Sequence, residues 1–254
     1  FAVPEKPRRD HLYTFYVGTR NGGVWKTTNN GTTFFPIFDD QEYLSIGDIA
    51  LAPSNPEIVW VGTGEAHATR STYRGNGVYK SLDGGKTWQH MGLEETHHIA
   101  RIIIHPQNPD IVYVVALGHL FGPNPERGVF KTTDGGKTWS KVLYINDKVG
   151  VVDLVMNRDN PDILYAATYE KYRYPWTFEE GGPESGIYKT SDGGRAWKRL
   201  TNGLPSGKIG RIGLDIYRRN PNILYAIIEN ANLRPPTPEE AAQDKRRGLE
   251  PQPR

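Results

Sequence analysis

The chain has 254 residues, of which 24% are charged and 37% hydrophobic, and its formal net charge is +2. That balance gives no polyelectrolyte surface for nucleic acid, and no apolar run reaches the ~20 residues that a membrane-spanning helix needs. There is no cysteine, which excludes disulfides, a thiolate nucleophile and thiolate metal ligands.

The 28 glycines and 19 prolines suit many short strands joined by tight turns. The chain starts at Phe1 without a charged-then-apolar leader, so a processed or truncated start is expected, with residues 1–11 as a lead-in. From there one motif returns four times: GVWKTTNNGTTF (Gly23 to Phe34), GVYKSLDGGKTW (Gly77 to Trp88), GVFKTTDGGKTW (Gly128 to Trp139) and GIYKTSDGGRAW (Gly186 to Trp197). A second motif keeps step with it: SNPEIVWVGTG, QNPDIVYVVAL, DNPDILYAATY and RNPNILYAIIE, with Asn55, Asn108, Asn160 and Asn220. An apolar stretch precedes each Asn-Pro (IGDIALAP, IARIIIHP, VVDLVMNR, IGRIGLDI). One unit therefore reads as four strands. A lies before Asn-Pro and B after it, C is the GVYKS run, and D starts at the tryptophan.

Four-stranded units of this length, each needing a neighbour to cover its faces, predict an all-β β-propeller of antiparallel blades. The units are a partial blade at 12–38, full blades at 45–91, 98–143 and 149–200, and a partial blade at 208–230. The last offers only A and B, so an incomplete ring of four to five blades is expected, with a closed five-bladed ring as the alternative. Residues 231–254, rich in proline and charge, read as a loop or tail with a short helix at Pro238 to Arg247.

The box turn has a mechanical role. Asp83, Asp134 and Asp192 are placed to accept local backbone N–H groups, and Asn29 to do so without charge. Trp88, Trp139 and Trp197 are placed to pack beneath the turn, and Phe34 replaces the tryptophan in the first unit. One carboxylate per turn falls short of the six to eight oxygens that calcium takes. These residues resemble the Asp-box (BNR) repeat superfamily, and the chain is similar to the N-terminal part of large bacterial secreted sortilin-like or "glycosyl hydrolase" proteins. The resemblance covers roughly residues 12 to 230. It implies the propeller fold and an extracytoplasmic (secreted or periplasmic) location, but no particular chemistry.

The A–B and C–D turns fall on one side of a propeller, and the D–A and B–C connections on the other. The second face is the variable one, so binding is expected there. Its B–C loops carry Glu65, His67, Arg70, Tyr73 and Arg74, then His119, Phe121, Glu126 and Arg127, then Glu170, Tyr172, Arg173, Tyr174 and Trp176. Of these, Arg70, Tyr73, Arg74, His119, Phe121, Arg127, Tyr172, Arg173, Tyr174 and Trp176 are the binding candidates, because Tyr, Trp and Arg dominate binding hot spots. The competing reading has the third loop's aromatics packing it onto its own blade.

Asp48, Arg101, Asp153 and Arg211 recur at one position of successive A strands and predict alternating ion pairs around the channel. A hydrolase would draw its two carboxylates from Asp48, Asp153, Glu65 and Glu170. His97 and His98, with His67 and His119, are the only metal candidates. Adjacent residues on a strand point to opposite faces, so no metal site and no cofactor is assigned. The reading is a binding or assembly module for a protein segment or glycan, completed by remaining blades or a partner chain. A xyloglucanase-type glycoside hydrolase and a structural subunit are the alternatives.

Overall fold

The computed structural model describes residues 12–67 and 72–253. The lead-in 1–11 and Arg70 lie outside the described residues. Among the described residues, eighteen strands form five antiparallel sheets in chain order. The first contains β1 (Phe15–Gly18), β2 (Val24–Thr27) and β3 (Phe35–Pro36). The second contains β4 (Ile46–Ala52), β5 (Asn55–Thr63), β6 (Val78–Ser81) and β7 (Gln89–His90). The third contains β8 (Ile99–Ile104), β9 (Val112–Ala116), β10 (Gly128–Thr132) and β11 (Ser140–Leu143). The fourth contains β12 (Val149–Met156), β13 (Leu164–Tyr174), β15 (Gly186–Thr190) and β16 (Lys198–Leu200), with β14 (Thr177–Glu180) paired to the far end of β13. The fifth is β17 (Ile209–Ile216) with β18 (Leu224–Asn230).

The sheets stand side by side as propeller blades. β4 packs against β8, β8 against β12 and β12 against β17, while β1 packs against β4. Three apolar clusters fill the spaces between successive sheets. Asn55, Asn108, Asn160 and Asn220 each accept the N–H two residues on through their side-chain oxygen, closing the A–B turn. The carbonyls of Glu57, Asp110 and Asp162 then accept the N–H groups of Gly84, Gly135 and Gly193, so both kinds of turn share one side.

The box follows its expected chemistry. Asp83 accepts the N–H groups of Lys86 and Thr87 at 2.9 Å each and the Thr87 hydroxyl at 2.7 Å. Gly84, Gly135 and Gly193 sit at φ of 68 to 73°, where a Cβ is strained. In the first box Asn30 occupies the same left-handed position at φ 57°, a conformation that asparagine tolerates.

Two local expectations need revision. The tryptophans do more than pack beneath their own turn, because two of them fasten it to the preceding sheet. Trp88 Nε1 donates to the Ile37 carbonyl at 2.6 Å and Trp139 Nε1 to that of Met91 at 2.7 Å. Trp197 Nε1 is buried with no partner among the described residues. The third B–C loop is also an ordered hairpin, β13 continuing through Tyr174 and returning as β14. The helix forms at α1 (Pro238–Arg246), started by a capping box between Thr237 and Glu240.

Candidate functional site

The channel position is an electrostatic ladder that steps from sheet to sheet. Asp48 on β4 accepts the Ile102 N–H of β8 at 2.7 Å. Arg101 on β8 reaches Asp153 of β12 at 2.9 Å and Asp48 at 3.9 Å. Asp153 accepts the Leu214 N–H of β17 at 2.9 Å. Burial pushes the Asp48 carboxyl up, against the opposing pull of Arg101. The alternating pattern stops at Arg211, which donates to the Ala66 carbonyl at 3.3 Å and so crosses to the second sheet's loop. Asp48 and Asp153 share one guanidinium and accept backbone N–H groups, the pattern of a structural ion-pair network. A cavity of about 440 Å³ beside them is lined by Asp48, Arg101, Asp159, Asp215 and Arg218 and includes residues of the A–B turns. This concavity thus lies on the side of the regular turns.

On the variable side, Glu65 is buried and pairs through one oxygen with Arg20 Nε at 2.9 Å, and Arg20 lies over the Tyr73 ring. Arg74 donates to the Tyr43 hydroxyl at 3.2 Å. The other Glu65 oxygen and His98 Nδ1 are buried with no hydrogen-bond partner among the described residues, and Glu65 and His98 line one small pocket with Lys171 and His119. Burial pushes His98 down to about 3. Glu170 ends β13's inner part, where burial pushes its carboxyl up.

His97 and His119 stack at 3.7 Å with planes 16° apart, and Glu95 Oε2 lies 3.8 and 3.7 Å from their Nε2 atoms. One ligand atom from each of the three residues falls within 4.8 Å of the others. Parallel stacked rings cannot both aim an in-plane lone pair at one ion without splaying, and His119 Nε2 is engaged at 2.9 Å with the Glu95 backbone carbonyl. His98 is buried and meets the His97 ring edge-on at 6.4 Å.

The second loop and the β13–β14 hairpin form one unit. Arg173 donates its N–H to the Leu120 carbonyl at 2.8 Å, beside Phe121. Arg127, placed by sequence among the surface binding residues, is instead only 1% exposed. Its guanidinium donates to the carbonyls of Lys171 at 2.9 Å and His119 at 2.6 Å, pinning the loop to the hairpin. Burial lowers it to about 10. Tyr172 and Tyr174 share a face of β13 and meet edge to face at 5.5 Å. Tyr174 and Trp176 stack at 5.3 Å with planes 5° apart, and Trp176 is 79% exposed. The aromatics therefore cover one another and leave a flat outer ring to solvent.

A family profile described as Sortilin-Vps10 (sortilin, neurotensin receptor 3) matches residues 76–230, more than half of the chain. The chain belongs to the Sortilin-Vps10 family. This Sortilin-Vps10 chain is 25% identical over 222 residues to a xyloglucanase of Paenibacillus sp, covering 78% of the chain and 21% of that protein. It is 24% identical over 227 residues to the xyloglucanase Xgh74A of Acetivibrio thermocellus, covering 76% of the chain and 24% of that protein. Among solved structures, an ancestral GH74 enzyme superposes with a TM-score of 0.59 at 22% identity, over 80% of the chain and 24% of the enzyme. YCF48 from Cyanidioschyzon merolae gives a TM-score of 0.50 at 16% identity, over 80% of the chain and 58% of YCF48. The chain thus spans about a quarter or less of the curated xyloglucanases it matches. The structural likenesses establish the fold of this family member. No helix among the described residues is long and apolar enough to cross a membrane.

Sequence reasoning passed over Arg20, Glu95, Lys148 and Lys171. Arg20 and Lys148 each stand over a ring of the variable face, Tyr73 and Tyr172 respectively. No repeat marks them, and only the fold brings them to those rings.

Proposed function

We propose that the chain is an extracytoplasmic binding module that holds a glycan on its variable face, with the β13–β14 hairpin as the platform. The supporting observation is the parallel stack of Tyr174 and Trp176 ending in an exposed indole face. A flat ring held rigid by a second ring offers apolar area at little ordering cost, which suits the C–H face of a sugar. Lys148, over the Tyr172 ring of the same aromatic cluster, supplies a donor for hydroxyls. The xyloglucanase relatives make xyloglucan oligosaccharides the first ligands to try, and the extracytoplasmic placement rests on the resemblance to secreted proteins.

The test is calorimetric titration of the chain with xyloglucan oligosaccharides and other β-glucans. Saturable binding is expected, weakened at least tenfold by Trp176→Ala. Equal affinity in that variant, or no binding at millimolar oligosaccharide, would overturn the reading. The hydrolase alternative rests on the raised Asp48 carboxyl beside the channel cavity. Reducing-end release from the same glucans, abolished by Asp48→Asn, would favour it.

A further inference from the structure

The hairpin platform holds a cation whose charge the fold leaves unanswered. Within the repeat, a lysine lying over an aromatic ring also has a fixed acceptor. Lys26, Lys80 and Lys131 stand 5.1 to 5.2 Å from the ring centroids of Tyr16, Trp60 and Tyr113. Each also donates to a glycine carbonyl of the next box, those of Gly84, Gly135 and Gly193, at 2.8 to 3.0 Å. On the variable face the counterpart is a carboxylate. Arg20, over Tyr73, pairs with Glu65 at 2.9 Å, and Lys171, over the rings of Tyr169 and Phe178, lies 3.9 Å from Glu180.

Lys148 has neither. Its ammonium lies 5.7 Å from the Tyr172 centroid. Among the described residues no carboxylate lies within ion-pair distance of it and no oxygen accepts from it. The acidic groups of this corner are engaged elsewhere. Glu179 pairs with Lys208 at 3.4 Å, and Asp147 and Glu126 act on the Arg127 guanidinium. Glu170, which feels the Lys148 charge, accepts the Glu184 N–H and is pushed toward its neutral form by burial.

The connection that carries Lys148 is fixed to the hairpin. The Lys148 N–H donates to the Asn146 side chain at 2.9 Å, and its carbonyl accepts the Lys171 N–H at 3.3 Å. The same connection starts with a second pair, Lys141 over the exposed Tyr144 at 4.8 Å. Lys141 donates to the Pro125 carbonyl, and an ammonium has three N–H groups, so its other donors stay unused.

An ammonium set over a ring offers donors only. A sugar hydroxyl answers it with a neutral oxygen. A carboxylate or sulfate ester completes a charge-assisted hydrogen bond, about twice as strong. The indole face beside it asks for a pyranose ring. We infer that the β13–β14 platform selects glycans whose pyranose rings carry an anionic group, a hexuronate carboxylate or a sulfate ester, with Lys148 reading the charge and Lys141 as a second cation of the same surface. The inference rests on the glycan reading above and names the class of glycan.

The probes share one backbone: a neutral cello-oligosaccharide, its C6-carboxylate form and its C6-sulfate ester, each titrated calorimetrically into the whole chain at low salt. At least one acidic form should bind about fivefold to tenfold tighter than the neutral one, and the better of the two identifies the anion. That preference should vanish at ~1 M salt, where the screening length falls to about 3 Å. Lys148→Met should bring the ratio of acidic to neutral affinity within about twofold of one, whatever it costs the neutral form, and Lys148→Arg should keep the preference. Lys148 is exposed, so both variants keep the fold and its circular dichroism. Equal affinity for all three probes would overturn this inference and leave the glycan reading standing. So would a preference that Lys148→Met does not reduce. Binding of none of the three at millimolar concentration would overturn the glycan reading and this inference with it.

Discussion

Tyr113 and Lys131 face each other across β9 and β10 and donate to the same acceptor, the Gly193 carbonyl of the next sheet, at 2.9 and 2.8 Å. One pair thus serves two purposes. The ammonium covers the ring within its own sheet, and both donors tie that sheet to the following box.

Shared acceptors make the two side chains interdependent. Lys131→Met and Tyr113→Phe should each cost about 1–2 kcal/mol. The double variant should cost more than their sum, because the carbonyl then loses both donors. Urea denaturation of the four proteins of this cycle measures the excess.

Arg101 pairs with Asp153 at the channel, and Asp153 is buried. Asp153→Ala leaves the guanidinium only the longer Asp48 contact and frees the Leu214 N–H, so a loss of about 1–3 kcal/mol is expected. Replacing Arg101 and Asp153 together by leucine should recover most of that loss. Chemical denaturation of both variants decides it.

The fourth box has Ala196 where the second and third have Thr87 and Thr138, whose hydroxyls donate to Asp83 and Asp134 at 2.7 and 2.6 Å. Asp192 lacks that donor, though it keeps the backbone N–H groups of Arg195 and Ala196. Ala196→Thr should raise the melting temperature by ~1–3 °C, and Asp83→Ala should lower it by a few degrees. Differential scanning calorimetry measures both.

His98 stays neutral in the folded chain down to about pH 3, while the unfolded chain takes up its proton near pH 6.5. A histidine depressed in this way subtracts stability as pH falls. The slope from this residue is about 1.4 kcal/mol per pH unit between roughly pH 6 and pH 3. His67, His97 and His105 are lowered too and act in the same sense. Unfolding free energy should therefore fall from pH 7 to pH 4.5, above the range where the box carboxylates titrate, and His98→Gln should flatten the fall.

Arg127 spans the carbonyls of His119 and Lys171 with two guanidinium nitrogens. Lysine offers a point charge without the fork, so Arg127→Lys should not restore what Arg127→Ala loses. Faster amide exchange along Lys171–Glu180 in both variants is the readout.

How much of this was legible depended on the range of each interaction. The box, the Asn-Pro turn and the strand order are encoded within a dozen residues, where glycine angles, Asx turns and alternating side chains act locally. The sequence alone therefore determined the repeat and the all-β blade. The tertiary structure decided what lies fifty or more positions apart. It set which sheet receives each tryptophan and lysine, that Arg127 is a buried pin, and that the third loop folds as a hairpin with its rings stacked outward. These depend on how neighbouring sheets pack face to face, and no periodicity within one unit can specify what covers it.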